Sequence, residues 1–184
     1  MKQLGHRHLC AIIAIFLGQA AVVFAHQTAP ELELNKPVER EITADDVHTY
    51  RLKLAAGQFA HITPAGQGIS LSVIVFSPDG KRLIEAGKLD ALSGARPLTL
   101  VGELPGEYRI QIWSPEKKSG RYLLSLDERR DATPQDRQRA AAEAAFLEAK
   151  LLSHRGRKED SIAAIEKLKE VLPFWRALHN RPAE

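Results

Sequence analysis

The sequence predicts an α+β protein, in which an antiparallel, jelly-roll-like β-sandwich of seven or eight short strands precedes a C-terminal helical hairpin. Two observations support this prediction. Runs of two-residue hydrophobic alternation, separated by turn residues, fill residues 32–127, and helical periodicity replaces them after residue 133. The 184 residues leave room for one domain and an appendage, and a composition of 44% hydrophobic and 27% charged residues is typical of globular proteins.

The chain opens with a short basic segment and an apolar stretch. Lys2 and Arg7 precede the apolar residues 9–24, and Ala25 supplies a small residue at a cleavage position. This layout predicts a signal peptide over residues 1–25, with cleavage near Ala25 and export to the periplasm or the cell exterior. An uncleaved membrane anchor is the alternative, but the apolar stretch is shorter than the roughly 20 residues that span a bilayer.

Charge and cysteine usage narrow the function classes. The formal net charge is +3, and Lys2 and Arg7 leave with the leader, so the exported chain is close to neutral. The chain has no stripe of Lys and Arg residues with interleaved aromatic residues, which is the pattern that would indicate nucleic-acid binding. The single cysteine, Cys10, lies in the leader, and the exported chain therefore has no disulfide, thiol nucleophile or cysteine metal site.

Alternation defines the strands of the sandwich from its first hairpin onward. Tyr50, Leu52 and Leu54 share one side of a strand, and a turn at Ser77–Gly80 combines a proline with a glycine that tolerates positive φ. The first five predicted strands span residues 49–54, 59–63, 69–75, 81–85 and 97–101, with a looser stretch at residues 86–96. Two later strands place three apolar side chains each on one face: Tyr108, Ile110 and Ile112, then Tyr122, Leu124 and Leu126.

These segments also carry a resemblance to a known family. The turn and strand PGEYRIQI at residues 105–112, followed by GRYLLSL at residues 120–126, resemble the bacterial pre-peptidase C-terminal-type β-sandwich. The runs at residues 33–42 and 48–59, with SPDGK at residues 77–81, are similar to the N-terminal region of secreted bacterial proteins that join this sandwich to tetratricopeptide repeats. Such proteins often end in a caspase-like CHAT peptidase domain.

The resemblance covers residues 31 to about 180 and implies a domain plan. It implies a pre-peptidase C-terminal-type sandwich over residues 30–128 and one hairpin of an incomplete tetratricopeptide array over residues 133–184. The His–Cys pair of a CHAT domain has no counterpart, so no peptidase activity is implied. Pro64 departs from the strand pattern, because proline lacks a ladder donor, and we expect a bulged or frayed edge there.

The first predicted helix has a clear start. Thr133 can cap free N–H groups, Pro134 suits the first helical position, and Asp136 lies near the positive end of the helix dipole. Gly156 is expected to end this helix. Its apolar face comprises Ala142, Ala145, Phe146, Ala149 and Leu152.

The second helix is expected to open at Asp160 or Ser161 and to close at Pro173. Its apolar stripe at helical spacing comprises Ile162, Ile165, Leu168 and Leu172. Phe174, Trp175 and Leu178 would then begin the next repeat and form an exposed aromatic patch. Two interpretations of that patch stay open: a docking surface for a partner helix, or the unfinished start of an array.

The sequence shows no pattern of catalytic residues. No Gly-x-Ser-x-Gly motif is present, and Asp45 and Asp46 lack the dense oxygen ligands of a calcium loop. We expect no enzyme activity, no cofactor and no metal site. Trp113 is a candidate platform for a sugar ligand, although an exposed edge residue is the alternative. The histidines outside the leader, which show no ligand spacing, are His26, His48, His61, His154 and His179.

These observations favour a non-catalytic, exported binding or scaffolding module. Its expected partner is a protein, or a second copy of the chain, bound through the helical hairpin. One alternative is a truncated accessory region of a secreted CHAT-type peptidase-like protein. Another is a carbohydrate-binding sandwich.

Overall fold

The computed structural model describes residues 29–89 and 97–179. Within these ranges, eight strands precede two helices. The strands are β1 (Val38–Ile42), β2 (His48–Leu54), β3 (Gln58–Gln67), β4 (Leu71–Phe76), β5 (Arg82–Leu89), β6 (Leu98–Val101), β7 (Gly106–Trp113) and β8 (Gly120–Asp131). The helices are α1 (Pro134–Ser153) and α2 (Lys158–His179). The predicted leader, residues 1–25, lies outside the described residues.

The strands form two antiparallel sheets of four strands each. One sheet has the order β1-β8-β3-β6, and the other has the order β2-β7-β4-β5. The first strand pairs with the last, the second with the seventh, the third with the sixth, and the fourth with the fifth. This nesting of hairpin-like pairs is a jelly-roll arrangement, and the predicted antiparallel β-sandwich is confirmed.

The core lies between the two sheets, where the predicted inward faces meet. In β2 and β7, Tyr50 lies opposite Ile110 and Leu52 lies opposite Tyr108. Complete burial of each large side chain contributes about 1.5–3 kcal/mol. The predicted apolar faces are confirmed, since all of these residues are buried: Tyr50, Leu52, Leu54, Ile69, Leu71, Val73, Val75, Tyr108, Ile110, Ile112, Tyr122, Leu124 and Leu126.

Pro64 does not interrupt its strand. β3 continues to Gln67, and Pro64 lies in register with Leu124 of β8. β6 pairs with β3 only between Phe59 and Ile62, so beyond Ile62 one side of β3 has no described partner strand. A residue without an N–H is tolerated along such an edge. The expected irregularity lies earlier, where the register with β8 shifts between His61 and Ile62.

The stretch after the fourth predicted strand is more regular than the sequence suggested. β5 runs to Leu89 rather than ending at Glu85, and Ala86 and Leu89 are buried in the core. They pair with Val73 and Leu71 of β4, so tertiary pairing extends the strand where local alternation is weak. Residues 90–96 of the predicted loop lie outside the described residues.

Close backbone approach restricts one glycine at the end of β3. A Cβ at Gly66 would lie 2.0 Å from the backbone oxygen of Ile69. We expect Gly66→Ala to lower the free energy of unfolding by about 1–2 kcal/mol, because this backbone must move. Urea denaturation measures the change. Gly87→Ala is the control, since its Cβ meets only Leu151 Cδ2 at 3.6 Å, and equal effects of the two changes would contradict the prediction.

The two helices form an antiparallel hairpin outside the sandwich. α1 contacts β5 and β6, and α2 packs against α1. Gly156 adopts φ +70° in the connection, as expected for a residue just past a helix end. The expected bounds of α2 are wrong. The helix begins at Lys158 rather than at Asp160 or Ser161, and it continues through Pro173 to His179. Among the described residues, no helix combines the length and apolarity needed to cross a membrane.

Candidate functional site

A charged joint fixes the start of α1 to the sandwich. Arg130, near the end of β8, donates from both terminal guanidinium nitrogens to the carboxylate of Asp136, with Nη2 3.1 Å from Oδ1. The Arg130 guanidinium also lies over the Phe59 ring, 4.4 Å from its centroid, and donates from Nε to Glu128. A bidentate arginine–carboxylate pair restricts the relative orientation of the two side chains as well as their distance. The last strand therefore holds the first turn of the helix.

Asp136 also completes the predicted helix cap. Thr133 Oγ1 accepts from the Asp136 backbone N–H at 3.2 Å, while the Asp136 carboxylate accepts from the Thr133 backbone N–H at 2.8 Å. The reciprocal pair satisfies two helix-end groups that lack an intrahelical partner. The Arg130 guanidinium, assisted by Thr133, holds the pKa of Asp136 well below its usual range.

α1 covers the side of the sandwich where the two sheets end. Its contacts are with β5 and β6, which are the edge strands of different sheets. The Glu143 carboxylate accepts from the backbone N–H of Thr99 in β6 at 3.2 Å, and Leu147 packs against the core. Exposed edge strands invite pairing with other chains, and α1 protects these two.

The face of α1 that meets α2 is built from small residues. Ala142 and Ala149 of α1 and Ala164 of α2 are buried, and small side chains at a contact allow two helices to approach closely. An ion pair between Glu148 and Lys167, at 2.7 Å, joins the helices beside this contact. Membership of the hairpin in the tetratricopeptide class stays a prediction.

The apolar stripe of α2 lies beside the contact with α1 rather than within it, and its side chains stay largely exposed. Ile162 and Ile165 are about half exposed, at 52% and 51%, and Leu168 and Leu172 are 40% and 43% exposed. The buried side of α2 instead carries Ala164. The stripe stays largely exposed because a two-helix contact covers only a narrow strip of each helix.

The stripe borders an open groove between the two helices. The groove has a volume of about 450 Å³, and Phe146, Ala149, Lys150 and Ser153 of α1 form one wall. Ser161, Ala164, Ile165 and Leu168 of α2 form the other wall. Together, the groove and the stripe form a continuous apolar surface on the side of the hairpin that the sandwich does not cover. We call it the outer hairpin face.

The predicted aromatic patch lies in the last turns of α2 rather than in a new repeat. Phe174 and Trp175 are half-buried, and their rings meet edge to face with centroids 5.3 Å apart. Trp175 lines a small cavity with Leu98 of β6 and Phe146 of α1. The side chain of Leu178 lies outside the described residues. A docking role for Phe174, Trp175 and Leu178 stays a prediction.

Trp113 lies at the end of β7, in register with Ser72 of β4, and is half-buried. The neighbouring core positions Tyr108 and Ile112 point inward and are fully buried, as alternation predicted. On the same outer surface, the Arg109 guanidinium lies 4.5 Å from the centroid of the Phe76 ring. The sugar-platform hypothesis for Trp113 stays a prediction.

A buried polar chain that the sequence did not reveal crosses the sandwich. The hydroxyls of Tyr50 in β2 and Tyr122 in β8 are hydrogen-bonded, and Tyr122 Oη lies 2.7 Å from His48 Nδ1. Burial lowers the pKa of His48, the charge of Arg40 lowers it further, and Asp46 opposes both effects. Burial also raises the pKa of Tyr122, so its hydroxyl keeps its proton. These three hydrogen-bonded side chains link the two sheets and have a structural role.

The described side chains form no cluster of three or more His, Cys, Asp or Glu residues that could hold a metal ion. Asp46 accepts from the backbone N–H of Thr43, and Asp79 contacts Ser77 and Lys81, so both aspartates lie in turns. His48 contacts Tyr122 rather than a nucleophile.

No protein-family model matches the chain, and no curated protein matches it. Several solved structures are similar over about half of it. The pre-peptidase C-terminal domain of collagenase from Bacillus anthracis is 19% identical, with a TM-score of 0.45, over 54% of this chain and 95% of that domain. At this level of similarity, the comparison assigns neither a family nor a function.

Two further solved structures resemble the chain to a similar extent. PliG of Salmonella Typhimurium, a periplasmic inhibitor of g-type lysozyme, is 16% identical, with a TM-score of 0.41, over 55% of this chain and 97% of that one. CorA of Methylomicrobium album BG8, a surface-associated copper-binding protein, is 8% identical, with a TM-score of 0.44, over 54% and 97%.

Proposed function

We propose that this protein is an exported, non-catalytic module that binds another protein through the outer hairpin face. The observation that carries the proposal is the exposure of four large aliphatic side chains along one stripe of α2, beside an apolar groove. Contiguous exposed apolar surface favours protein association. The basic and apolar layout of residues 1–25 supports export.

The joint to the sandwich supports the same proposal. The Arg130–Asp136 pair and the Glu143–Thr99 hydrogen bond hold α1 in place, and α1 carries α2. A partner would therefore meet a prearranged surface, which lowers the conformational entropy lost on binding. The sandwich acts as the support in this proposal.

Site-specific photo-crosslinking in the native cells tests it. A photoreactive amino acid at Leu172 places the probe on the stripe, and the same amino acid at Val47, which is 55% exposed on the sandwich, is the matched control. We expect a defined crosslinked protein from position 172 only. The same protein, once identified and purified, should bind the purified chain. Crosslinks from position 47 alone would show that the binding site lies on the sandwich. No crosslink from either position would contradict the proposed binding function.

A further inference from the structure

The buried polar chain of Tyr50, Tyr122 and His48 has one hydrogen-bond direction that satisfies all of its protons. Among the described residues, the Tyr50 hydroxyl has a single partner, the Tyr122 hydroxyl, which also lies 2.7 Å from His48 Nδ1. Both tyrosines are fully buried, and each hydroxyl carries one proton. If Tyr50 donates to Tyr122 and Tyr122 donates to His48, both protons have an acceptor. His48 then accepts at Nδ1 and carries its own proton on Nε2.

A charged His48 is incompatible with this direction. The imidazolium carries a proton on both ring nitrogens, so it can only donate at Nδ1. Tyr122 Oη would then accept from His48, and the two hydroxyls would share one hydrogen bond between them. One hydroxyl proton would have no acceptor in the described part of the chain. A buried donor without a partner costs free energy, so the folded sandwich disfavours the charged form of His48.

The charges around His48 do not compensate for that loss. Asp46, in the connection between β1 and β2, places Oδ2 4.0 Å from His48 Nε2, which is beyond hydrogen-bond distance. Arg40 of β1 lies in register with Tyr122 of β8, and its charge opposes a second cation nearby. Ile112 of β7, in register with His48, is uncharged. Burial, followed by Arg40, lowers the pKa of His48, and Asp46 offsets only part of this.

We propose that His48 is an acid-sensitive clasp, whose protonation reverses its hydrogen bond to Tyr122 and loosens the neighbouring edge strand β1. β1 has five residues, and β8 is its one partner among the described strands. An edge strand with one neighbour opens at a lower cost than inner strands do. The clasp involves no residue of the outer hairpin face, so it stands apart from the proposed function.

The direction of the pH effect follows from where His48 binds its proton. The unfolded chain binds it near the ordinary histidine pKa, about 6.5, whereas the folded protein binds it only at a lower pH. The stabilisation is therefore complete above about pH 6.5 and is lost as the pH falls from there towards the folded value. Ordinary carboxyl groups titrate near pH 4, so the interval between about pH 7 and pH 5 reports on histidine.

Nitrogen NMR of the full chain tests the hydrogen-bond direction. At about pH 7.5, where histidine is neutral, we expect the His48 tautomer that carries its proton on Nε2, because Nδ1 accepts from Tyr122. A proton on Nδ1 at this pH would reverse the direction and overturn the proposal.

Hydrogen exchange measures the loosening of β1. Protection factors, which correct for the intrinsic effect of pH on exchange, should fall in β1 at least about fivefold between about pH 7 and pH 5, as one unpaired buried hydrogen-bonding group would cause. Amides of α2 should keep their protection, because this helix packs against α1 and can open without freeing His48. Unchanged protection in β1, or an equal loss in α2, would overturn the proposal.

His48→Asn separates the charge of the ring from its acceptor. Asparagine can present an acceptor oxygen to the Tyr122 hydroxyl but does not titrate, so protection in β1 should vary less than about twofold over the same interval. His154→Asn, at an exposed position of the hairpin, is the matched control and should behave like the wild type. A pH dependence of His48→Asn equal to that of the wild type would contradict the clasp. The tautomer and the wild-type exchange decide the proposal even if circular dichroism shows that His48→Asn is unfolded.

Discussion

Asp136→Ala is expected to lower the free energy of unfolding by about 2–4 kcal/mol, because it removes a charged hydrogen-bond pair and a helix cap together. The substitution removes both hydrogen bonds from Arg130 to Asp136, leaving Arg130 only its carboxylate contact with Glu128, and it leaves Thr133 without its reciprocal partner. The backbone N–H of Thr99 donates a hydrogen bond to the carboxylate of Glu143 in α1. Because the joint holds α1 on the sandwich, hydrogen exchange of this N–H should also become faster. Urea denaturation and hydrogen exchange measure the two effects.

The contribution of Asp136 should depend on pH in a defined direction. Its pKa is lower in the folded protein than in the unfolded chain, so the unfolded chain binds the proton first as the pH falls. The stabilisation is present above the ordinary carboxyl pKa, about 4, and is lost as the pH falls towards the folded value. The difference between the wild type and Asp136→Ala should therefore shrink from pH 6 to pH 3.

Asp45→Ala is the control. The side chains of Asp45 and of its ion-pair partner Lys117 are both exposed, so the pair should contribute less than about 1 kcal/mol to stability. A loss for Asp136→Ala no larger than that of the control would contradict the role assigned to the joint. A difference that stays constant with pH would show that the lost stability does not come from the ionised carboxylate.

Tyr122→Phe is expected to cost about 1–3 kcal/mol, because one deleted hydroxyl removes hydrogen bonds from both Tyr50 and His48. Tyr50 is fully buried and cannot turn to water for a new partner. Tyr50→Phe should cost less, since Tyr122 keeps its bond to His48. The double change should cost less than the sum of the two, because it removes both ends of the same buried bond.

Tyr108→Phe provides a matched comparison. The Tyr108 hydroxyl donates to the Leu104 carbonyl at 2.7 Å and shares no partner with Tyr122. The effects of Tyr108→Phe and Tyr122→Phe should therefore add to within about 0.5 kcal/mol. Additivity between Tyr50→Phe and Tyr122→Phe in urea denaturation would instead show that the chain across the sandwich does not act as a unit.

Most of the sandwich was predictable because strand alternation reports burial directly. Residues such as Leu52, Ile110 and Leu124 are apolar at every second position because successive side chains point to opposite faces. The start of α1 was equally local, since Thr133, Pro134 and Asp136 act within one turn. The polar chain through His48 was not predictable, because His48 and Tyr122 are 74 residues apart in the sequence.

The hairpin shows where local rules fail. Pro173 disfavours a continuing helix, yet α2 passes through it, and Trp175 beyond it is half-buried beside Leu98 and Phe146. The sequence could show that α2 has an apolar stripe, but not which direction the stripe faces. That direction follows from Ala164, whose small side chain makes the contact with α1.

By itself, the sequence determined the order of the strands from β2 onward and of the helices, the inward faces of the sandwich and the capped start of α1, since short-range periodicity and sterics set each of them. The strand β1 was not predicted, because its residues show no regular alternation of buried and exposed positions. The tertiary structure decided how the helices lie on the sandwich and which apolar side chains stay exposed. Those outcomes depend on contacts between distant segments, such as Arg130 with Asp136 across the joint and Glu143 with Thr99. The exposed stripe of α2 is the result on which the proposed function depends.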